Sequence, residues 1–272
     1  MPLDFSLLPL KEYDNFGIVT SLGCDFNCAF CDTTHHWKHH HYERKLDVIE
    51  AEILQLTQNY GIKKIGLLDD NFTQRLDRIR DFIKIVKKID LAWSITGFIS
   101  ANLEDDLLAE MGATGCYAMF LPLDTGSPRI LKSINRKINL PTAYKRLELV
   151  KKHISQVRTN LLWGFPTESL DEFKQTLAAL FKCYIRDIEV TLELVTPLPR
   201  ARLTHEYFNQ LIENLNVWKY SYFGLIDIKD NEKVQQIIKT YPRLFPFQFR
   251  YPTPEFEKKV ERIQGLEALA KE

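Results

Sequence analysis

The stretch Cys24-Asp25-Phe26-Asn27-Cys28-Ala29-Phe30-Cys31 places three thiols at a C-x3-C-x2-C spacing, just after the short apolar run Gly17-Ile18-Val19-Thr20-Ser21. Thiolates are soft ligands suited to iron–sulfur clusters and to zinc. Three of them so close in sequence can converge on one metal centre without ligands from the rest of the chain. With no fourth cysteine nearby, a [4Fe–4S] cube held by these three would keep one iron open to a small molecule.

Outward from this loop, apolar strands alternate with amphipathic helices. Strands are predicted over 17–21, 64–69, 92–99, 116–124, 156–163 and 187–196, and helices over 46–60, 73–89, 103–111, 127–134, 141–153 and 169–184. Such alternation implies an α/β fold with a parallel sheet and right-handed crossovers. The near-continuous apolar runs imply strands buried on both faces. Ser21, Asp69-Asp70-Asn71, Asp124-Thr125-Gly126, Gly164 and Thr196 fall at strand C-termini, the end at which sheets and barrels of this kind bind ligands. The chain divides into a lead-in segment (1–16), the α/β core (17–200) and a mostly helical C-terminal extension (201–272). The extension is rich in aromatics: Tyr207, Phe208, Trp218, Tyr220, Tyr222, Phe223, Tyr241, Phe245, Phe247, Phe249 and Tyr251. It is expected to pack on the core, its aromatics either covering the mouth or forming a small core of their own. A last helix is predicted over 255–269, and the charges in 84–88 and 257–262 read as solvated helix faces.

At 272 residues the chain matches one barrel-sized domain. Lys plus Arg (36) equals Asp plus Glu (36), which argues against a dominant electrostatic grip on nucleic acid or on an anionic membrane. No apolar run approaches the roughly 18–20 residues needed to span a bilayer, and Met1-Pro2-Leu3-Asp4-Phe5 lacks the blocks of a secretory signal. A cytoplasmic location, where thiols stay reduced, is expected. Cys116 and Cys183 read as core residues.

Beyond the cysteines, ordered segments carry a resemblance. Gly66-Leu67-Leu68-Asp69-Asp70-Asn71-Phe72, Leu107-Leu108-Ala109-Glu110-Met111-Gly112-Ala113-Thr114-Gly115-Cys116, Asp124-Thr125-Gly126-Ser127, Gly164-Phe165-Pro166-Thr167-Glu168 and Thr196-Pro197-Leu198-Pro199 follow the motif in turn. Over about residues 3–210 the chain resembles the radical S-adenosylmethionine (SAM) superfamily, in particular its cobalamin-associated branch that includes anaerobic magnesium-protoporphyrin cyclase-like proteins. The resemblance implies a partial (β/α)6 TIM-like barrel. It implies a [4Fe–4S] cluster on Cys24, Cys28 and Cys31, and SAM chelated at the open iron and reductively cleaved to a 5′-deoxyadenosyl radical. The radical would serve methyl transfer, rearrangement or cyclisation on a small molecule or peptide, with flavodoxin or ferredoxin as electron donor. The branch carries a cobalamin domain ahead of its barrel. That domain is absent here, so cobalamin, if used, is expected from a separate cobalamin-binding subunit.

By position, the resemblance implies that Phe30 packs beside the adenine, that Asp69, Asp70 and Asn71 meet the methionine end of SAM, that Asp124 accepts from its ribose or other polar atoms, and that Gly164 lets backbone approach the adenine. Plainer alternatives stand beside these: Asp70, Asn71 and Asp124 as helix N-caps, and 164–166 as a turn. The branch commonly has arginine where this chain has Leu22 and Ile99, aspartate at Ala101, glutamate at Asp124 and glycine at Arg200; losing two arginines and an acid removes expected charge pairs around the cofactor. His35, His36, His39, His40 and His41 crowd the following loop around Trp37. His35 or His36 could complete a four-ligand zinc knot with the three cysteines, or the histidines could line the substrate opening or form an exposed loop. Trp37 and Trp163 read as cavity-lining or, for Trp163, core. Arg200 reads as an anion contact or a surface residue. A non-catalytic metal-binding scaffold on the same fold is the alternative function.

Overall fold

The computed structural model describes residues 5, 9, 16–99, 103–213, 232–241 and 244–269. Ala101, Trp218, Tyr220, Tyr222 and Phe223 lie outside these residues, as does the side chain of Phe247. Six strands form the central sheet: β1 (Phe16–Ile18), β2 (Lys64–Leu67), β3 (Ala92–Thr96), β4 (Cys116–Phe120), β5 (Gln156–Trp163) and β6 (Glu189–Leu194). They lie side by side in chain order and every pairing is parallel. The connections carry α1 (Leu46–Tyr60), α2 (Leu76–Val86), α3 (Asp105–Ala113), α4 (Pro128–Ser133), α5 (Leu140–His153) and α6 (Leu170–Tyr184). Helix starts follow the local chemistry. Asn139 caps α5 by accepting from the Thr142 amide, and Ser169 and Glu172 form a reciprocal capping box on α6.

One sheet face is apolar and packs on the helices. Ile65, Leu67, Trp93, Ile95, Met119, Val157 and Leu161 meet Ile53, Phe82, Leu108 and Leu147 there, in one continuous core. The opposite face departs from the sequence expectation of strands buried on both sides. It carries Lys64, Gly66, Ser94, Thr96, Arg158, Asn160, Thr191 and Glu193, all partly or fully exposed. Apart from Lys64, small side chains occupy its first half, and polar ones together with Phe120 and Leu162 its second, so the concave side is left open for a ligand.

Strand ends are shorter than the periodicity predicts, for identifiable reasons. β1 stops at Ile18 because the Thr20 amide and hydroxyl both turn to Asp69; residues 21–22 then pair antiparallel with 42–43 in a separate two-stranded ribbon. β4 stops at Phe120, before Pro122, and Asp124 rejoins the sheet by a single bridge to Leu161. The predicted helix over 73–89 divides into a 3-10 turn, Phe72–Gln74, and α2.

The last helix, α7 (Phe256–Leu269), packs Phe256, Val260 and Ile263 against Trp163, Phe173 and Leu194. Trp163 is therefore a core residue, stacked on Phe256 at 5.4 Å between ring centroids. Tyr251 is fully buried against Ala29, Phe165 and Leu203, beneath the cysteine loop.

Candidate active site at the cysteine loop

The cysteine loop crosses the C-terminal end of the sheet and is tied down on every side. Ala29 donates its amide to the Ile134 carbonyl (2.9 Å) and accepts from the Leu203 amide (2.8 Å). Asn135 Nδ2 donates to the Asn27 carbonyl (2.8 Å). Gly23, at φ +89°, precedes Cys24 where a Cβ would overlap the His40 carbonyl, so the backbone needs glycine there. Cys28 is buried, and Cys24 and Cys31 are half-buried.

The Asp69-Asp70-Asn71 segment, expected at the methionine end of SAM, is turned toward this loop. Asp69 is buried and accepts from the Thr20 amide (2.6 Å) and from the hydroxyls of Thr20 and Ser21 (2.5 and 2.6 Å). Asp70 accepts from the Gly23 amide (2.7 Å) and the Thr33 hydroxyl (3.1 Å), bracketing the three cysteines. Asn71 Nδ2 donates to Cys24 Sγ (3.9 Å), and Gln74 accepts from the Asp25 amide (3.0 Å). Asn71 precedes the 3-10 turn but makes no side-chain cap bond to it.

Asp124 is likewise engaged. It sits at φ +66° and its carboxylate pairs with Arg136, the two side chains being 3% and 6% exposed. Arg136 also donates to Cys28 Sγ (3.8 Å) and to the Pro122 carbonyl (3.2 Å), with its guanidinium over the Phe98 ring. Sequence reasoning missed this residue. The departures at Leu22, Ile99 and Arg200 suggested a site short of charge pairs, yet Arg136 supplies a buried one from the turn after α4. Ile99 is a core residue. Arg200 donates its amide to Asp32 (2.6 Å) and lies against His36, joining the segment after β6 to the cysteine loop.

Electrostatics follow from burial. Loss of water pushes the Cys28 thiol up to about 11 and raises Cys24 as well, while the Arg136 cation opposes the rise at both. Burial also raises Asp124, against the pull of Arg136. Loading a metal centre here therefore releases protons.

Beside Phe30 and Cys31 opens a cavity of about 650 Å³, walled by the concave residues Arg158, Asn160, Leu162, Thr191 and Glu193. Gly164 ends β5 at φ +88°, where a Cβ would meet Leu194. Phe165 lies edge-on to Phe30 (6.1 Å, 73°).

The donor set fits an iron–sulfur cluster. Three soft thiols share one loop, and two of them receive N–H···S bonds, one from a buried cation. Among the described residues no three His, Cys, Asp or Glu side chains are gathered about one ion-sized point. His36 is turned to Arg200, and His35 packs on His39.

A parallel (β/α)6 sheet with three cysteines on the loop after its first strand defines a class of cluster-dependent enzyme. The chain belongs to the radical SAM superfamily, whose family model matches residues 18–180. It is 31% identical over 229 residues to an uncharacterized methyltransferase of Pyrococcus horikoshii, covering 80% of this chain and 48% of that one. It is 35% identical over 181 residues to the tRNA-2-methylthio-N(6)-dimethylallyladenosine synthase of Desulfitobacterium hafniense, covering 62% and 39%. Among solved structures it superposes on TsrM of Kitasatospora setae, a radical SAM methyltransferase with cobalamin and a [4Fe–4S] cluster bound, at TM-score 0.65 and 16% identity, covering 74% of this chain and 38% of that one. The chain thus spans about half or less of the length of these relatives. No helix among the described residues is long and apolar enough to cross a membrane.

Proposed function

We propose that this chain is the catalytic core of a radical SAM enzyme, with Cys24, Cys28 and Cys31 each holding one iron of a [4Fe–4S] cluster. When bound, the cluster supplies the electron that splits SAM into methionine and a 5′-deoxyadenosyl radical. The carrying observation is Arg136, a buried guanidinium bonded to Cys28 Sγ and held by Asp124.

The residues of this chain then divide into two kinds. Phe30, Gly164 and the cavity wall are the cofactor contacts: Phe30 packs beside the adenine, and Gly164 leaves room for backbone to approach it. Asp69, Asp70 and Asn71 act by position, fixing the loop that carries the thiols. Asp124 fixes Arg136, whose charge offsets the negative charge gathered by three thiolates. The same cavity holds a small-molecule or peptide substrate next to SAM, beside Cys31. Methyl transfer is supported by the Pyrococcus horikoshii relative, a methyltransferase, and transfer of a methylthio group by the Desulfitobacterium hafniense one. Flavodoxin or ferredoxin is the electron donor, and the five free thiols suit the cytoplasm.

Anaerobic reconstitution with iron and sulfide, followed by SAM and a strong reductant, tests this reading. It predicts 5′-deoxyadenosine in the wild type and none in the Cys28→Ala variant; product in neither contradicts it.

A further inference from the structure

The charged segment 257–262, read from sequence as a solvated helix face, contains one lysine that never meets water. Lys259 on α7 is 0% exposed, and its ammonium donates to the Glu168 carbonyl (2.6 Å), to Glu168 Oε2 (3.0 Å) and to the Thr253 hydroxyl (2.8 Å). An ammonium has three protons, and all three are used. Glu168, also 0% exposed, accepts the Gly164 amide on the same Oε2 (2.8 Å) and donates its own amide to the Phe165 carbonyl (3.1 Å). Residues 164–168 thus close into a loop whose two ends meet at one carboxylate, with Lys259 as the outer bracket. Arg129 holds the loop's other side through the Thr167 carbonyl (2.5 Å).

A buried ion pair is a poor adhesive. Apolar residues of the same volume often hold a helix as well or better, because both charges must leave water. Its distinctive property is direction, since it satisfies particular atoms in one arrangement only. Here the atoms satisfied belong to the loop that sets Gly164 at φ +88° and seats Phe165 against Phe30. Helix α7 otherwise packs on apolar residues of β5, β6 and α6.

We propose that Lys259 is a positioning residue: acting through Glu168 it locks residues 164–168, so that the C-terminal helix sets the affinity of the cavity for SAM. This rests on the reading of that cavity as the SAM site.

Two measurements on Lys259→Met test it. Amide hydrogen exchange on the metal-free protein reads the lock itself, and equilibrium dialysis of SAM against reconstituted protein reads its consequence. Expected are exchange at 164–168 and SAM dissociation constants each raised about 10-fold or more, as breaking a buried ion pair allows, with iron content unchanged. The double variant Lys259→Met/Glu168→Gln removes both charges and keeps an acceptor for Gly164. It is expected to recover thermal stability while SAM stays weakly bound. Wild-type exchange and wild-type SAM affinity in Lys259→Met would overturn the proposal. So would a double variant that recovers stability and SAM affinity together, for then the pair acts through stability alone. A wild type that holds its cluster yet takes up no SAM overturns the functional reading instead, and the exchange data still judge the lock.

Discussion

Arg136 and Cys28, 108 positions apart in sequence, meet at 3.8 Å between guanidinium nitrogen and sulfur, with Asp124 bonded to the same guanidinium. The contact joins the turn after α4 to the cysteine loop and places a fixed positive charge where three thiolates would gather. Replacing Arg136 by methionine leaves Asp124 buried without a cation, a change that costs about 3–5 kcal/mol. Thermal unfolding of Arg136→Met should show that loss, and Arg136→Met/Asp124→Asn should regain most of it. Iron uptake should stay impaired in both variants, because neither restores the charge beside Cys28.

Asp70 brackets the three cysteines by holding Gly23 before them and Thr33 after them. Asp70 itself is exposed, so Asp70→Ala should fold with little loss of stability. Its cluster should be about 10–100-fold more labile, as is usual when a residue that orients metal ligands is removed. The rate of bleaching by an iron chelator measures this directly. Equal bleaching rates in variant and wild type would return Asp70 to a role as a contact for SAM.

Gly164→Ala introduces a Cβ at φ +88° and against Leu194. Backbone strain of this kind costs about 1–3 kcal/mol. A lowered melting temperature together with weakened SAM binding is expected. Loss of stability with unchanged SAM affinity would place the cofactor away from this loop.

Glu172 offers a pH test at a carboxylate bonded to none of the cysteines. Its carboxylate accepts from Arg129, and from the amide and hydroxyl of Ser169 (2.9 and 3.0 Å). The Arg129 bonds come first among the causes that hold it down at about 2, well below the usual carboxylate range. A depressed folded value means that its stabilisation is complete above the unfolded value near 4.3 and is lost as pH falls toward about 2. Glu172→Gln should therefore melt below wild type at pH 7, and the gap should close on acidification through that window.

Much of this was legible in the sequence, and the remainder was hidden for physical reasons. The cysteine spacing, the six strand–helix alternations and the polar C-terminal strand ends are local patterns, and they point to the end of the sheet that the cysteine loop crosses. Side-chain partners are not local. Asp69, Asp70 and Asn71 were visible as a motif, but their neighbours at Thr20, Gly23 and Cys24 become apparent only once β1 and β2 lie in register. Arg136 follows Asn135, whose left-handed backbone (φ +58°) turns the chain back over the site; nothing in the spacing announces that reversal. Lys259 was hidden by its surroundings, because one buried lysine among charged neighbours on an amphipathic helix looks like all the others. The polar face of the sheet was masked by hydrophobic averages along β5 and β6, where alternate residues point to opposite sides.

The central claim is that Cys24, Cys28 and Cys31 together hold a cube of iron and sulfide. Iron, sulfide and zinc analysis of anaerobically reconstituted protein, alongside its Cys24→Ala, Cys28→Ala and Cys31→Ala variants, addresses it most directly. The account predicts about four irons and four sulfides per chain in the wild type, with marked loss in each variant and low-temperature resonances that shift when SAM is added. A colourless protein carrying one zinc, or a cluster content indifferent to all three substitutions, would contradict it.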